Sequence, residues 1–199
     1  MKKLNVAIVG CGGNGSWFTH NMAHLIKHNQ IPSGVIFTLF DHDDVAKKNI
    51  GYQKFDLKDV LDNKAKVLGE RYDLPYKQKK VTKGTDLDPF DVVICAVDNK
   101  DFRELLYKYM DKNQDKYWID MRAEGRVVAI FTKHEKNPLD KLLKTLAKGP
   151  SESASCQLSY ELDAGIIQQG NVIAAMIGSQ FFLNFIRGDE NPPEFIHMF

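Results

Sequence analysis

Four glycines are gathered at one point of the chain. Gly10, Gly12, Gly13 and Gly15 follow the apolar run Leu4–Val9 and precede a segment that turns helical from Ser16. This is G-x-G-x-x-G between a strand and a helix, the setting in which it cradles phosphate. Gly10 permits a tight turn, Gly12 lets the backbone approach an anion, and Gly15 lets the helix pack on the strand. The unpaired N–H groups and dipole of the helix start favour negative charge. A ligand-free strand-to-helix turn is the alternative. Two acidic sites complete the set. Asp41 closes a second apolar run about 30 residues past Gly10, where an acidic residue commonly binds ribose hydroxyls. Asp98 and Asn99 close the run Asp-Val-Val-Ile-Cys-Ala-Val, at the edge where open α/β sheets take ligands. For Asp98, capping the next helix is the structural alternative.

The elements that would position these groups alternate. Strands are expected at 4–9, 35–40, 77–81, 91–97, 117–121 and 127–132 from short runs of branched and apolar residues. Helices are expected at 15–28, 58–72, 100–110, 139–147 and 171–186, the last apolar on most sides and suited to the core or a partner. Alternation of this kind predicts an α/β, Rossmann-like, mostly parallel sheet flanked by helices, in a single domain over residues 1–199. Residues 148–155 read as a flexible loop. The Pro-broken tail 191–199 ends apolar, and either docks on a partner or folds back.

Composition narrows the function. The chain has 43% hydrophobic residues and a net charge of +1 without a basic stripe, so nucleic acid is not an expected partner. Its apolar runs are too short to cross a bilayer, and no signal-peptide core follows Met1. Cys11, Cys95 and Cys156 form no C-x-x-C pair, which speaks against structural zinc and a disulfide framework; the expected location is cytoplasmic. His20, His24 and His28 share one side of the first helix, but lack a carboxylate at matching spacing. A solvated face is expected there rather than a metal site.

Taken in order, the motifs resemble the ThiF/MoeB/HesA family, the adenylation domain shared with ubiquitin-activating enzymes. Gly10-Cys11-Gly12-Gly13-Asn14-Gly15-Ser16 matches its G-x-G-G-x-G-S, and Asp41 and Asp43 match a D-x-D. Asn49 and Gln53 fall on N-x-x-R-Q, Asp59 and Lys64 on D-x-G-x-x-K, and Asp98, Asn99 and Arg103 on D-N-x-x-x-R. The resemblance implies an ATP- and Mg²⁺-dependent adenylyltransferase. Its substrate would be the C-terminal carboxylate of a ubiquitin-like or sulfur-carrier protein or peptide. It implies that Asp41 binds the ribose, that Gly12 to Asn14 line the adenylate, and that Lys64 neutralises phosphate. Asp98 would hold Mg²⁺, while Asn49 and Gln53 would contact the triphosphate or order the loop that does. Asp43 and Asn99 are carried over as further cofactor-binding positions, and a homodimer or partner chain as the assembly.

This chain also departs from the pattern. Tyr52 stands where the family has arginine, and a phenol supplies neither the charge nor the fork of a guanidinium. Leu61 replaces the family glycine. Arg122 or Arg126 are the expected substitutes for the missing charge. Cys156 is expected to be structural, with a thioester nucleophile as the alternative. Two other functions compete. An NAD-dependent dehydrogenase fits the glycines and Asp41, and a catalytically weak nucleotide-binding partner of a ThiF-like complex fits Tyr52.

Overall fold

A computed structural model of the chain describes residues 3–124, 126–147 and 169–199. The central strand β1 (Leu4–Val9) has Val6, Ala7, Ile8 and Val9 buried on both faces, which places it inside a parallel sheet. It pairs in parallel with β2 (Val35–Phe40) on one side and β4 (Val92–Cys95) on the other. β3 (Tyr76–Lys77) extends the β2 side and β5 (Tyr117–Glu124) the β4 side, both in parallel. β6 (Val127–Thr132) and β7 (Glu194–Met198) then add antiparallel. The strand order is β3-β2-β1-β4-β5-β6-β7.

Successive side chains of β1 point to opposite faces. Val6 and Ile8 join an apolar layer with α1 (Gly13–Lys27), α2 (Lys64–Tyr72) and α5 (Gly170–Arg187). Ala7 and Val9 join a second layer with α3 (Lys100–Lys112) and α4 (Leu139–Ala147). The apolar α5 is therefore a core helix. It approaches β5 so closely that a Cβ on Gly178 would lie 2.3 Å from Met121 Sδ. The chain runs outward from β1 through β2 to β3, then restarts at β4 on the other side of β1. Strand order reverses between β1 and β4, and such a reversal opens a crevice at the carboxyl ends of those strands.

Several boundaries differ from the sequence expectation. The helix expected at 58–72 begins only at Lys64. Leu61 sits in the left-handed region at φ 77°, and Asn63 caps α2 by accepting the Lys66 N–H at 3.1 Å. Leu57–Asp59 forms a separate 3-10 turn. The strand expected at 77–81 ends at Lys77, where a turn closes with Lys79 N–H on the Lys77 carbonyl at 2.9 Å. β5 runs on to Glu124 because Glu124 pairs with Val127 across a tight reversal. The tail folds back as β7, in register from Phe131↔Glu194 to Val127↔Met198. Residues 148–155 and Cys156 lie outside the described residues.

Candidate active site

The crevice holds a cavity of about 560 Å³, within the roughly 300–1,000 Å³ usual for small-molecule sites. The carboxyl ends of three strands reach it: Gly10, Gly12 and Gly13 after β1, Asp41 and Asp43 after β2, and Asp98 and Asn99 after β4. Asn49, Gln53 and Lys64 close it from the segment leading into α2 and from the first residue of that helix. Val81, Val97 and Phe102 give it an apolar part.

The glycine loop is held by contacts that only glycine admits. Gly10 has φ 93°, and a Cβ there would lie 2.8 Å from the Ala96 carbonyl oxygen. A Cβ on Gly15 would lie 1.8 Å from the Gly10 carbonyl oxygen, so α1 starts directly against the turn. At Gly12 the nearest atom to such a Cβ is Gln53 Nε2 at 3.9 Å, which leaves its backbone open to a ligand. Asn14 and Gly15 do not line the cavity. Asn14 is buried, and its Nδ2 donates to the Met121 carbonyl at 3.1 Å.

Asp41 is fixed by the same turn. Its Oδ2 accepts the Cys11 N–H at 2.6 Å and its Oδ1 the Asp43 N–H at 2.9 Å. Burial raises the Asp41 carboxyl above its ordinary value, and the two N–H donors oppose that rise. Each oxygen keeps a lone pair for a further donor. Lys64 is largely buried, with Nζ 3.5 Å from Asp43 Oδ2. Burial pushes the Cys11 thiol well up, so a packed thiol lies in the loop rather than a thiolate. The Cys95 thiol is pushed up in the same way.

On the other wall, Asn99 caps α3, its Oδ1 accepting the N–H groups of Asp101 at 2.7 Å and Phe102 at 3.2 Å. Asp98 is exposed and carries no ion pair among the described residues. An anionic carboxylate opening on a polar cavity suits a hard cation that prefers oxygen ligands. Arg103 holds this loop from below. Its guanidinium donates to the carbonyls of Val97 and, at 3.3 Å, Asp98, while Nε bonds Asp120 Oδ1 at 3.0 Å. Asp120 is fully buried and also binds Arg122 Nε at 2.8 Å and the Tyr107 hydroxyl.

Tyr52 does not substitute for a cation. It is buried, and its hydroxyl accepts from Asn49 Nδ2 at 3.2 Å, while Asn49 Oδ1 accepts the Ala46 N–H at 2.8 Å. Asn49 and Tyr52 thus order the segment entering the cavity. Arg122 lies over the Phe131 ring at 4.5 Å and is committed to Asp120; Arg126 is exposed, and neither lines the cavity. Lysines missed in the sequence are there instead: Lys48, Lys79 and Lys80. Lys79 pairs with Asp86 at 2.7 Å, whereas Lys48 and Lys80 have no ion pair among the described residues. A lysine cluster just past a parallel strand was the available signal, since all such strand ends face the crevice.

Three carboxamides around the loop keep unpaired polar atoms among the described residues: Asn14 Oδ1, Gln53 Oε1 and both Asn171 atoms. Only Gln53 lines the cavity, and a bound ligand or water is what such an atom calls for. Asp59, by contrast, belongs to the scaffold: its Oδ2 accepts the Asp56 N–H at 2.7 Å and pairs with Arg71. In the histidine column of α1, His20 bonds Tyr72 at 3.0 Å, and the His24 and His28 rings lie 4.4 Å apart, tilted by 49°. The metal-capable grouping among the described residues is Asp41, His42 and Asp43 instead.

A sequence profile of the ThiF family matches residues 1–198. The chain belongs to the ThiF family. Comparison with curated proteins by sequence finds no match. Among solved structures, E. coli MccB with ATP has a TM-score of 0.66 at 19% identity, with 100% of this chain and 64% of that one covered. PaaA has a TM-score of 0.66 at 18% identity, covering 98% and 60%. E. coli TcdA, a tRNA N6-threonylcarbamoyladenosine dehydratase, has 0.65 at 20% identity, covering 93% and 86%. At these identities the likeness establishes the fold. The chain spans about three fifths of the length of MccB and PaaA. No helix among the described residues is long and apolar enough to cross a membrane.

Proposed function

We propose that the cavity binds ATP with Mg²⁺ and transfers AMP to the C-terminal carboxylate of a peptide or of a ubiquitin-like or sulfur-carrier protein. The observation that carries this reading is the convergence of the glycine loop, Asp41, Lys64 and Asp98 in one cavity at the β1/β4 switch. The ribose hydroxyls donate to Asp41. The open backbone at Gly12, the N-terminus of α1 and the Lys64 ammonium hold the phosphates. Asp98 would hold Mg²⁺, which when bound neutralises phosphate charge. In the step itself, a carboxylate oxygen attacks the α-phosphorus, the bond to the β-phosphate bridging oxygen breaks, and pyrophosphate leaves. Negative charge shifts onto pyrophosphate oxygens, so fixed cations and N–H donors provide the catalysis. Lys48 and Lys80 take the electrostatic part that Tyr52 leaves unfilled.

Thermal shift with ATP or NAD⁺, with and without Mg²⁺, tests the reading on the wild type and Asp98→Ala. Ligand at about 100 times its Kd stabilises by about 2.7 kcal/mol, roughly 5–11 °C for a chain of this size. The expected result is a Mg²⁺-dependent shift with ATP that Asp98→Ala reduces by more than half, followed by pyrophosphate exchange when a carboxylate substrate is supplied. Stabilisation by NAD⁺ alone makes the site a dehydrogenase's. A Mg·ATP shift without exchange favours the catalytically weak partner, for which buried, uncharged Tyr52 is the supporting observation.

A further inference from the structure

Among the described residues, Gln53 alone both lines the cavity and keeps a buried polar atom unpaired. Only 8% of the residue is exposed, and its Oε1 accepts no hydrogen bond. Leaving a buried carbonyl oxygen without a donor is costly, so the donor comes from a molecule that enters the cavity. The glutamine is also held in place. The Tyr52 carbonyl before it accepts from Trp17 Nε1 at 3.0 Å, and the Lys54 N–H after it bonds Ser16 Oγ at 3.0 Å. Both partners belong to α1, so Gln53 is fixed against the start of that helix. Its Nε2 is the nearest atom, at 3.9 Å, to a Cβ built on Gly12.

The layout of the cavity limits which donor can reach this oxygen. Phosphate oxygens are acceptors, so the group lying in the glycine loop does not supply it. The ribose hydroxyls are committed to Asp41. Val81 and Phe102, the apolar part that suits a base, belong to the layer of α3, whereas Gln53 is pinned to α1 on the opposite face of the sheet. A base seated there points its amine away from Gln53. The donor that remains among the reactants is the backbone N–H of the substrate's last residue. That N–H is two bonds from the carboxyl carbon, so a carboxylate placed over Gly12 carries it toward a side chain on the same wall.

We infer that Gln53 reads the last peptide unit of the substrate: Oε1 accepts the N–H of the terminal residue while the adjoining carboxylate faces the α-phosphate. This rests on the adenylation reading and deepens it by naming the substrate class, peptides and N-acyl amino acids whose last residue keeps its N–H. Hydroxy-acid esters, simple carboxylic acids and chains ending in proline lack that hydrogen. A site built around a hydrogen bond rejects such ligands, because they leave its buried acceptor unpaired. The terminal torsion of a glutamine is broad, so the oxygen turns to meet the entering N–H.

The test compares two non-hydrolysable mimics of the acyl-adenylate by calorimetry on the full chain. One is 5′-O-(N-acetylglycylsulfamoyl)adenosine. In the other an acetoxyacetyl group replaces the acetylglycyl group, so that an oxygen stands where the N–H was. The wild type is expected to bind the amide about tenfold or more tightly than the ester. Gln53→Met, which keeps the length of the side chain and removes the acceptor, is expected to bind the two within about threefold of each other. Its melting temperature should match the wild type, since the Gln53 carboxamide has no hydrogen bond to lose among the described residues. Equal binding of the two mimics by the wild type overturns the inference without reference to the variant. So does an undiminished preference in Gln53→Met, or failure of both mimics to bind where ATP binds; each of these leaves ATP binding at the site intact. If neither the mimics nor ATP bind the wild type, the adenylation reading itself falls, and the role of Gln53 with it.

Discussion

Asp120→Asn isolates the buried charge beneath the Asp98 loop. The substitution keeps the shape of the side chain and removes its charge, leaving Arg103 and Arg122 facing a neutral amide at the former distances of 3.0 and 2.8 Å. Removing one partner of a buried ion pair is destabilising by about 3–5 kcal/mol, because the remaining charge stays in low dielectric. The Arg103 side chain is 9% exposed and cannot reach water easily, whereas Arg122 is 19% exposed and recovers part of its hydration. The lower half of that range is therefore expected, a fall in Tm of roughly 6–16 °C. Burial alone would raise the Asp120 carboxyl, but Arg103 and Arg122 hold it well below the ordinary carboxylate range. A depressed folded pKa stabilises above the unfolded value near 4, and that stabilisation is lost as pH falls through the folded value. The wild-type advantage should thus stay constant from about pH 5 to 8 and shrink only below about pH 4. Urea unfolding of both proteins across this range measures it. The Mg·ATP shift should also weaken in the variant, because Arg103 no longer holds the Val97 and Asp98 carbonyls in place. A loss below about 1 kcal/mol, or a difference that changes between pH 5 and 8, refutes the assigned role of the pair; an unchanged Mg·ATP shift confines that role to folding.

Gly15→Ala should yield insoluble or unfolded protein, since the added carbon meets backbone at 1.8 Å. Gly13→Ala should remain folded with a lowered Tm, because its added carbon meets only the movable Asn171 carboxamide at 2.6 Å; comparing soluble yield and melting curves decides both, and an equally benign Gly15→Ala refutes the packing argument. Lys48→Ala should weaken binding of ATP about three- to tenfold by calorimetry while leaving AMP unchanged, with the effect shrinking at high salt. Equal loss for both nucleotides would place Lys48 away from the outer phosphates.

The order of strands and helices was legible because β1, β2 and β4 are continuous apolar runs and the glycines mark a strand-to-helix turn. Gly10, Asp41 and Asp98 could be assigned to one crevice before any coordinates, since carboxyl ends of parallel strands meet at a reversal of strand order. Pairwise geometry could not be read in this way. That Asn99 rather than Asp98 caps α3, that Tyr52 is buried against Asn49, and that Arg122 belongs to Asp120 all depend on side chains meeting across more than one element. The break at Leu61 was hidden for a related reason: leucine favours helix locally, and the Val45 and Asp62 bonds overrode that preference. Local periodicity and turn chemistry act between near neighbours, so the sequence by itself determined the fold class and the glycine loop. Ion-pair partners, the exposure of Leu57 and Leu61 and the burial of Tyr52 are set by long-range packing, and only the tertiary structure decided them.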